Sequence, residues 1–317
     1  MAGPAGGARG SRVRGAGPRP GQPGGGPGTG LAGPPAAGGT DMIEWTAPPR
    51  RPLLRQPIAL AALAWLALVG LGALAPSLAT ADPLAADTTR VLLPPGPGGP
   101  LGTDLLGRDV LARLLWGGRW TLGMSLAALA VAVGLGLPAG LVAGTFGGRI
   151  EVALMRLVDA LLAFPGLLLA MAVVALLGSG MGSVAMAVGL AAAPAYARVT
   201  RSAALEVRTQ PYVEAARAVG SGEWRILVRH VLPNAVAPLV AFAATQLGWV
   251  LLNGAALNFL GLGAPPGTPE WGAMLAEGRG YLRDAPWVST FPGLALTLTV
   301  LAANLVGDAL QEALRPQ

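Results

Sequence analysis

Six stretches of this chain are each long and apolar enough to cross a membrane, and no other feature limits the fold so strongly. They occupy about 58–78, 120–144, 157–177, 182–200, 236–260 and 288–308. A helix crossing the hydrocarbon layer of about 30 Å needs roughly 20 apolar residues. The fourth stretch is the weakest, because Pro194 lies within it and Arg198 near its end. Proline is tolerated in a spanning helix where neighbours satisfy the freed carbonyl. Composition agrees with this reading: 12% of the residues are charged, about half the share usual in soluble domains. The expected fold class is an all-α polytopic membrane protein with six transmembrane helices.

The first stretch admits a second reading. Leu78 to Pro83, "LATADP", resembles a signal-peptide cleavage site. Its apolar run exceeds the roughly 7–15 residues usual for such a signal, and five more spans follow, which favours a retained helix. Residues 1–41 are Gly, Pro and Ala with scattered Arg. Such a segment lacks the apolar side chains that would offset the entropy of ordering, and it is expected to be a disordered tail. Met42 begins a more ordinary sequence and is expected to be the true start. The expected organisation is a tail over 1–41, an N-terminal region with the first span and an external loop over 42–118, the transmembrane domain over 119–310, and a C-terminal tail over 311–317.

All 22 basic residues are arginine, and there is no cysteine. A phosphate-binding P-loop needs its lysine, so this chain does not hydrolyse ATP by that route. Thiolate metal sites and cysteine nucleophiles are excluded as well. The arginines report orientation. With the N-terminus cytoplasmic, inside loops hold Arg50, Arg51, Arg55, Arg149, Arg156, Arg198, Arg201, Arg208, Arg217, Arg225, Arg229 and Arg315. Outside loops hold Arg90, Arg108, Arg113, Arg119, Arg279 and Arg283. Twelve against six places both termini inside. The same placement between apolar spans argues against nucleic acid as the partner of the +6 charge.

One inside loop is charged and regular: "YVEAARAVGSGEWRILVRHVLPNA", Tyr212 to Ala235. Pro211 suits the first turn of a helix. Tyr212, Ala215, Ala216 and Val219 share one apolar face. Glu214 lies near the helix start, where the dipole favours an anion, and shares another face with Arg217. Gly220 can end the helix in a left-handed conformation. Ser221 is expected to cap a second helix with an apolar face of Trp224, Leu227, Val228 and Val231, which Pro233 would stop. This predicts a helix–turn–helix hairpin too polar to span. On pattern alone, it equally fits a connector lying on lipid headgroups.

Glu214, Ala215, Ala216, Gly220, Leu232 and Pro233 then carry a resemblance. They look like the EAA loop that marks membrane subunits of binding-protein-dependent ABC importers. His230 stands where the broad pattern has Ile, and "RHVLPN" resembles the dipeptide/oligopeptide/nickel permease branch. Other segments resemble the same branch: Leu101 to Ser125, Met155 to Gly178, Leu257 to Trp287, and "NLVGDALQEALRP" near the C-terminus. Read physically, the first of these would form a short helix along the outer surface. Thr103 or Asp104 would cap it, Leu111, Leu114 and Leu115 would give it an apolar face, and Arg108, Asp109 and Arg113 a polar one.

The resemblance covers roughly residues 50–317 and points to the shorter-loop partner of two permease types, with a type I permease bundle as its fold. It implies a transmembrane permease subunit of an ATP-driven ABC importer in a bacterial or archaeal plasma membrane, carrying di- or oligopeptides or a related solute such as a nickel chelate or glutathione. It implies as partners a homologous permease, two ATPase subunits in which ATP is hydrolysed, and an external solute-binding protein. Glu214 to Gly220 would transmit the motion of ATP binding. Within the chain itself no cofactor, metal or catalytic residue is expected.

Other positions leave alternatives open. Gly136, Gly140 and Gly144 have the small-xxx-small spacing that lets helices approach closely, with Pro138 a source of a kink. Gln246, Asn253, Asn258 and Asn304 lie at membrane depth, where polar groups either bond neighbouring helices or line a water-filled path. Asp159 and Asp308 are expected to be solvated or paired with Arg156 and Arg315. The outer loop 261–287, with Glu270, Trp271, Glu277, Arg279, Arg283 and Asp284, either meets a binding protein or forms a solvated face. An intramembrane enzyme is a poor alternative, since His230 is the sole histidine and lies in the cytoplasmic loop. A non-transporting scaffold is the remaining one.

Overall fold

The computed structural model describes residues 57–76, 82–97 and 99–314. The expectations for residues 1–41 and for Arg315 lie outside them. Among the described residues the chain is helical, apart from turns, loops and two isolated bridges. In order, the helices are α1 (Pro57–Leu74), α2 (Val110–Phe146), α3 (Gly148–Leu162), α4 (Gly166–Leu177) and α5 (Met181–Arg208). Then follow α6 (Pro211–Ala218), α7 (Glu223–Ile226), α8 (Leu232–Phe259), α9 (Trp271–Gly278) and α10 (Trp287–Leu314).

Five helical runs are long and apolar enough to cross a membrane: α1, α2, α5, the continuous run Glu223–Phe259, and α10. The pair α3 and α4 makes a sixth by composition, but it bends by 93°. The straight span expected over 157–177 is therefore corrected to a broken one. Pro165 is the cause. It disfavours helical geometry at the residue before it, and it sits in extended backbone at ψ 127° as the cap of α4. The 12 residues of α4 reach about 18 Å, short of the roughly 30 Å layer.

The separate surface helix expected before the second span is also corrected. Asp109, not Thr103 or Asp104, is the cap, accepting from the Leu111 amide at 3.0 Å. Helix α2 then runs 37 residues without a break, about 55 Å. Gly117 and Gly118 within it are close-approach positions. A Cβ on Gly117 would stand 2.4 Å from the Pro269 carbonyl oxygen, and one on Gly118 3.3 Å from the Trp271 ring.

Helix α5 explains the weak fourth stretch. Inside the protein 61% of its apolar window is buried, against 17% for α1. A helix surrounded by protein needs less apolar surface than one facing lipid. Its tightest partner is α2, through the three spaced glycines. A Cβ on Gly136 would lie 2.7 Å from the Ala193 carbonyl oxygen, on Gly140 2.4 Å from that of Ala197, and on Gly144 2.7 Å from Ala204 Cβ. Any side chain there would force the backbones apart. Helices α8 and α10 meet in the same manner: a Cβ on Gly307 would stand 2.3 Å from Thr245 Oγ1.

Candidate functional site

The hairpin predicted over 212–235 is present, rooted at one end of the bundle. Gln210 is extended and Pro211 occupies the first turn of α6. Gly220 takes the left-handed conformation at φ +85°. Its amide bonds the Arg217 carbonyl at 3.0 Å, and the Ser221 amide bonds that of Ala216 at 3.0 Å. This pair of bonds is the Schellman arrangement, which satisfies carbonyls that the helix end leaves open. Gly222, not Ser221, precedes α7, with no side-chain cap.

Arg217, which shares a face of α6 with Glu214, makes its ion pair elsewhere. It reaches across the turn to Glu223, with Nε to Oε1 at 2.7 Å and Nη2 to Oε2 at 3.2 Å. This two-pronged contact holds the Glu223 carboxyl below the usual carboxylate range and raises the Arg217 guanidinium. Glu214 is exposed.

The buried faces differ from the expected ones. Val213, Ile226, Leu227 and Val231 form the root and pack with Leu141, Ala204 and Val207. Tyr212, Val219, Trp224 and Val228 stand exposed, Val219 at 83% and Trp224 at 67%. The expected apolar face of α6 thus points away from the protein, because this short helix is anchored through Val213 alone.

Pro233 does not stop the second helix. Leu227–Val231 form a π-helical turn, in which the Leu232 amide bonds the Leu227 carbonyl. A π turn widens the helix by one residue and absorbs the proline. Asn234 Nδ2 donates to the His230 carbonyl at 2.7 Å. Hairpin limb and span are one run from Glu223 to Phe259. His230 is half-buried, its ring centroid 6.1 Å from that of Tyr212.

At the opposite end, charges are buried. Arg108 Nε meets Asp104 Oδ2 at 2.7 Å and its Nη2 meets Glu277 Oε2 at 3.2 Å. Arg113 Nη1 meets the same two carboxylates at 2.6 and 2.7 Å. Arg108 and Arg113 are therefore not the polar surface face expected of them. Glu270 caps α9, accepting from the Ala273 amide and Thr121 Oγ1, both at 2.9 Å. Burial pushes its carboxyl above the ordinary range. So Glu270, Trp271 and Glu277 belong to a packed cap, whereas Arg283 and Asp284 are exposed.

The four polar residues at membrane depth separate. Asn258 is buried, accepts from the Ala264 amide at 2.7 Å and donates to Met124 Sδ at 3.3 Å. Asn253 donates to the Trp249 carbonyl within its own helix. Asn304 lies against Gly248, whose Cβ would stand 2.8 Å from its Oδ1, and Gln246 is buried in α8. Asp159 pairs with Arg198 at 2.5 Å rather than with Arg156. Arg201 pairs with Glu151.

Known proteins share this architecture. Residues 136–317 match the family model described as binding-protein-dependent transport system inner membrane component. A glutathione transport system permease protein of Pectobacterium atrosepticum is 46% identical over 217 residues, 68% of this chain and 72% of that protein. A di/tripeptide transport system permease protein of Pseudomonas aeruginosa is 44% identical over 249 residues, 77% and 82% of the two chains. Among solved structures, a chain of the MetNI methionine ABC transporter in an inward-facing conformation shares the fold, with a TM-score of 0.54 at 22% identity. The match covers 64% of this chain and 97% of that one.

Proposed function

Because this chain belongs to the family of binding-protein-dependent transport system inner membrane components, we infer that it is the permease subunit of an ATP-driven importer for peptides or a related small solute such as glutathione. It is a multi-pass membrane protein of the all-α permease type. The hairpin is its coupling element, built on Glu214, Ala215, Ala216, Gly220, Leu232 and Pro233. One observation carries that role: the root is packed while Tyr212, Val219 and Trp224 stand exposed beside it. An apolar face of this kind, fixed by a left-handed turn and an ion pair, suits a groove on a partner.

ATP is hydrolysed in two separate subunits that seat this face. A homologous permease completes the pathway, and an external binding protein delivers the solute to the cap. The plasma membrane is the location, with the hairpin and both termini on the cytoplasmic side, as the arginine distribution supports.

The test is co-purification. The tagged chain, expressed with its neighbouring genes, should bring down a P-loop ATPase and raise its turnover. Repeated isolation without any ATPase would overturn the reading.

A further inference from the structure

Between the hairpin ends of α5, α8 and α10 lies a cleft of about 910 Å³. Sites for small molecules occupy roughly 300–1,000 Å³, so its volume suits a short peptide. Aromatic contacts between α5 and α8 adjoin its lining. The Tyr196 hydroxyl donates to the Leu239 carbonyl at 3.0 Å, and its ring lies 5.5 Å from Phe242. Phe242 itself lines the cleft.

Glu206 is exposed in the cleft, and among the described residues its carboxylate enters no ion pair. Among the described residues no arginine lines the cleft, and Arg201 is held by Glu151. Asn234 Nδ2 donates to the His230 carbonyl at 2.7 Å and Gln210 Nε2 to the Glu206 carbonyl at 3.4 Å. Each amide thus spends one of its two N–H donors inside its own segment and keeps the other beside its oxygen. The lining offers a carboxylate and amide acceptors beside an aromatic ring, a combination that fits a donor-rich cation.

We propose that this cleft is a cation-accepting vestibule, in which Glu206 receives the ammonium end of a peptide-like solute before its release on the hairpin side. The proposal rests on the importer reading and adds a charge class and a place to it. Phe242 and Gln311 line the same cleft.

The chain contains no cysteine, so single thiols can be read without background. In the purified importer complex, Gln311→Cys is treated with two methanethiosulfonates, one bearing a trimethylammonium group and one a sulfonate. The cationic reagent should react faster. Adding Glu206→Gln should lower the rate ratio by roughly threefold, the size of a partly screened unit-charge interaction, and Glu206→Asp should restore it. Alanyl-alanine should slow the modification, and N-acetyl-alanyl-alanine should not.

A ratio indifferent to Glu206→Gln, or equal protection by the two dipeptides, overturns the proposal. So does a thiol that reacts in the isolated chain but with neither reagent in the complex, since a partner chain then fills the cleft. Failure of the importer reading is visible separately, as a preparation of the unsubstituted chain that contains no ATPase.

Discussion

The two ends of the molecule handle charge in opposite ways. At the cap opposite the hairpin, two arginines and two carboxylates are drawn inside, and Asp104 and Arg113 are almost wholly buried. At the hairpin, one arginine–glutamate pair lies near the surface with both side chains 36% exposed, and the aromatic and aliphatic residues beside it are left uncovered. Buried ions must be fully paired or the structure fails. Surface pairs contribute little, generally under about 1 kcal/mol. The cap therefore holds its charges inside the fold, and the hairpin leaves an apolar face uncovered, the face proposed above to meet a partner.

Four changes would break or sharpen that contrast. Asp104→Ala should have the largest effect. It leaves two guanidinium groups buried with only Glu277 between them, a loss of about 3–5 kcal/mol, seen as a collapse of the melting temperature in detergent. A variant that melts like the parent would show that the cap is not held by its charges. Gly220→Val should cost about 1–2 kcal/mol, because the left-handed backbone clashes with a branched side chain. No neighbour crowds that position, so the chain should insert normally yet lose uptake. Normal uptake would separate the turn from coupling.

Trp224→Ala should change stability by less than about 0.5 kcal/mol, as for other surface substitutions, but lower ATPase stimulation by about tenfold, as loss of an interface anchor does. Stimulation at the parental level would mean this face is not the docking surface. The smallest effect concerns acid, and its sign differs at the two ends. The folded Glu223 carboxyl lies below its ordinary value, so its contribution is present above that ordinary value and fades as pH falls through the folded one. The folded Glu270 carboxyl lies above it, so its contribution is complete below the ordinary value and lost as pH rises through the folded one. Hydrogen exchange, corrected for intrinsic rates, should show α9 better protected in mild acid than at neutral pH, and Glu270→Gln should flatten that dependence.

Much of this was legible in the sequence, and the gaps have physical causes. Long apolar runs locate spans because lipid imposes a length, and Pro211 and Gly220 punctuate the hairpin because each limits backbone torsions directly. The bend at Pro165 was less visible, since the residues on both sides are equally apolar and hydropathy carries no direction. Pro233 misled for the opposite reason: a π turn absorbed a residue that normally ends a helix. Arg217 reaches Glu223 across the turn, a contact set by the fold of the hairpin and not by spacing along one helix. The cap was hidden in principle. Arg113 and Glu277 are 164 positions apart, and no local pattern links them. The exposed faces of α6 and α7 looked like core because sequence periodicity marks an apolar stripe without saying what covers it.

The unbroken run from Glu223 to Phe259 has a mechanical consequence. It spans 37 residues, a rod of about 55 Å, and its lower end belongs to the hairpin. A tilt of about 10° about its midpoint swings each end by roughly 5 Å, in opposite directions. The π turn at Leu227–Val231 and Pro238 inside α8 are the two places in that rod where the regular helical ladder is interrupted.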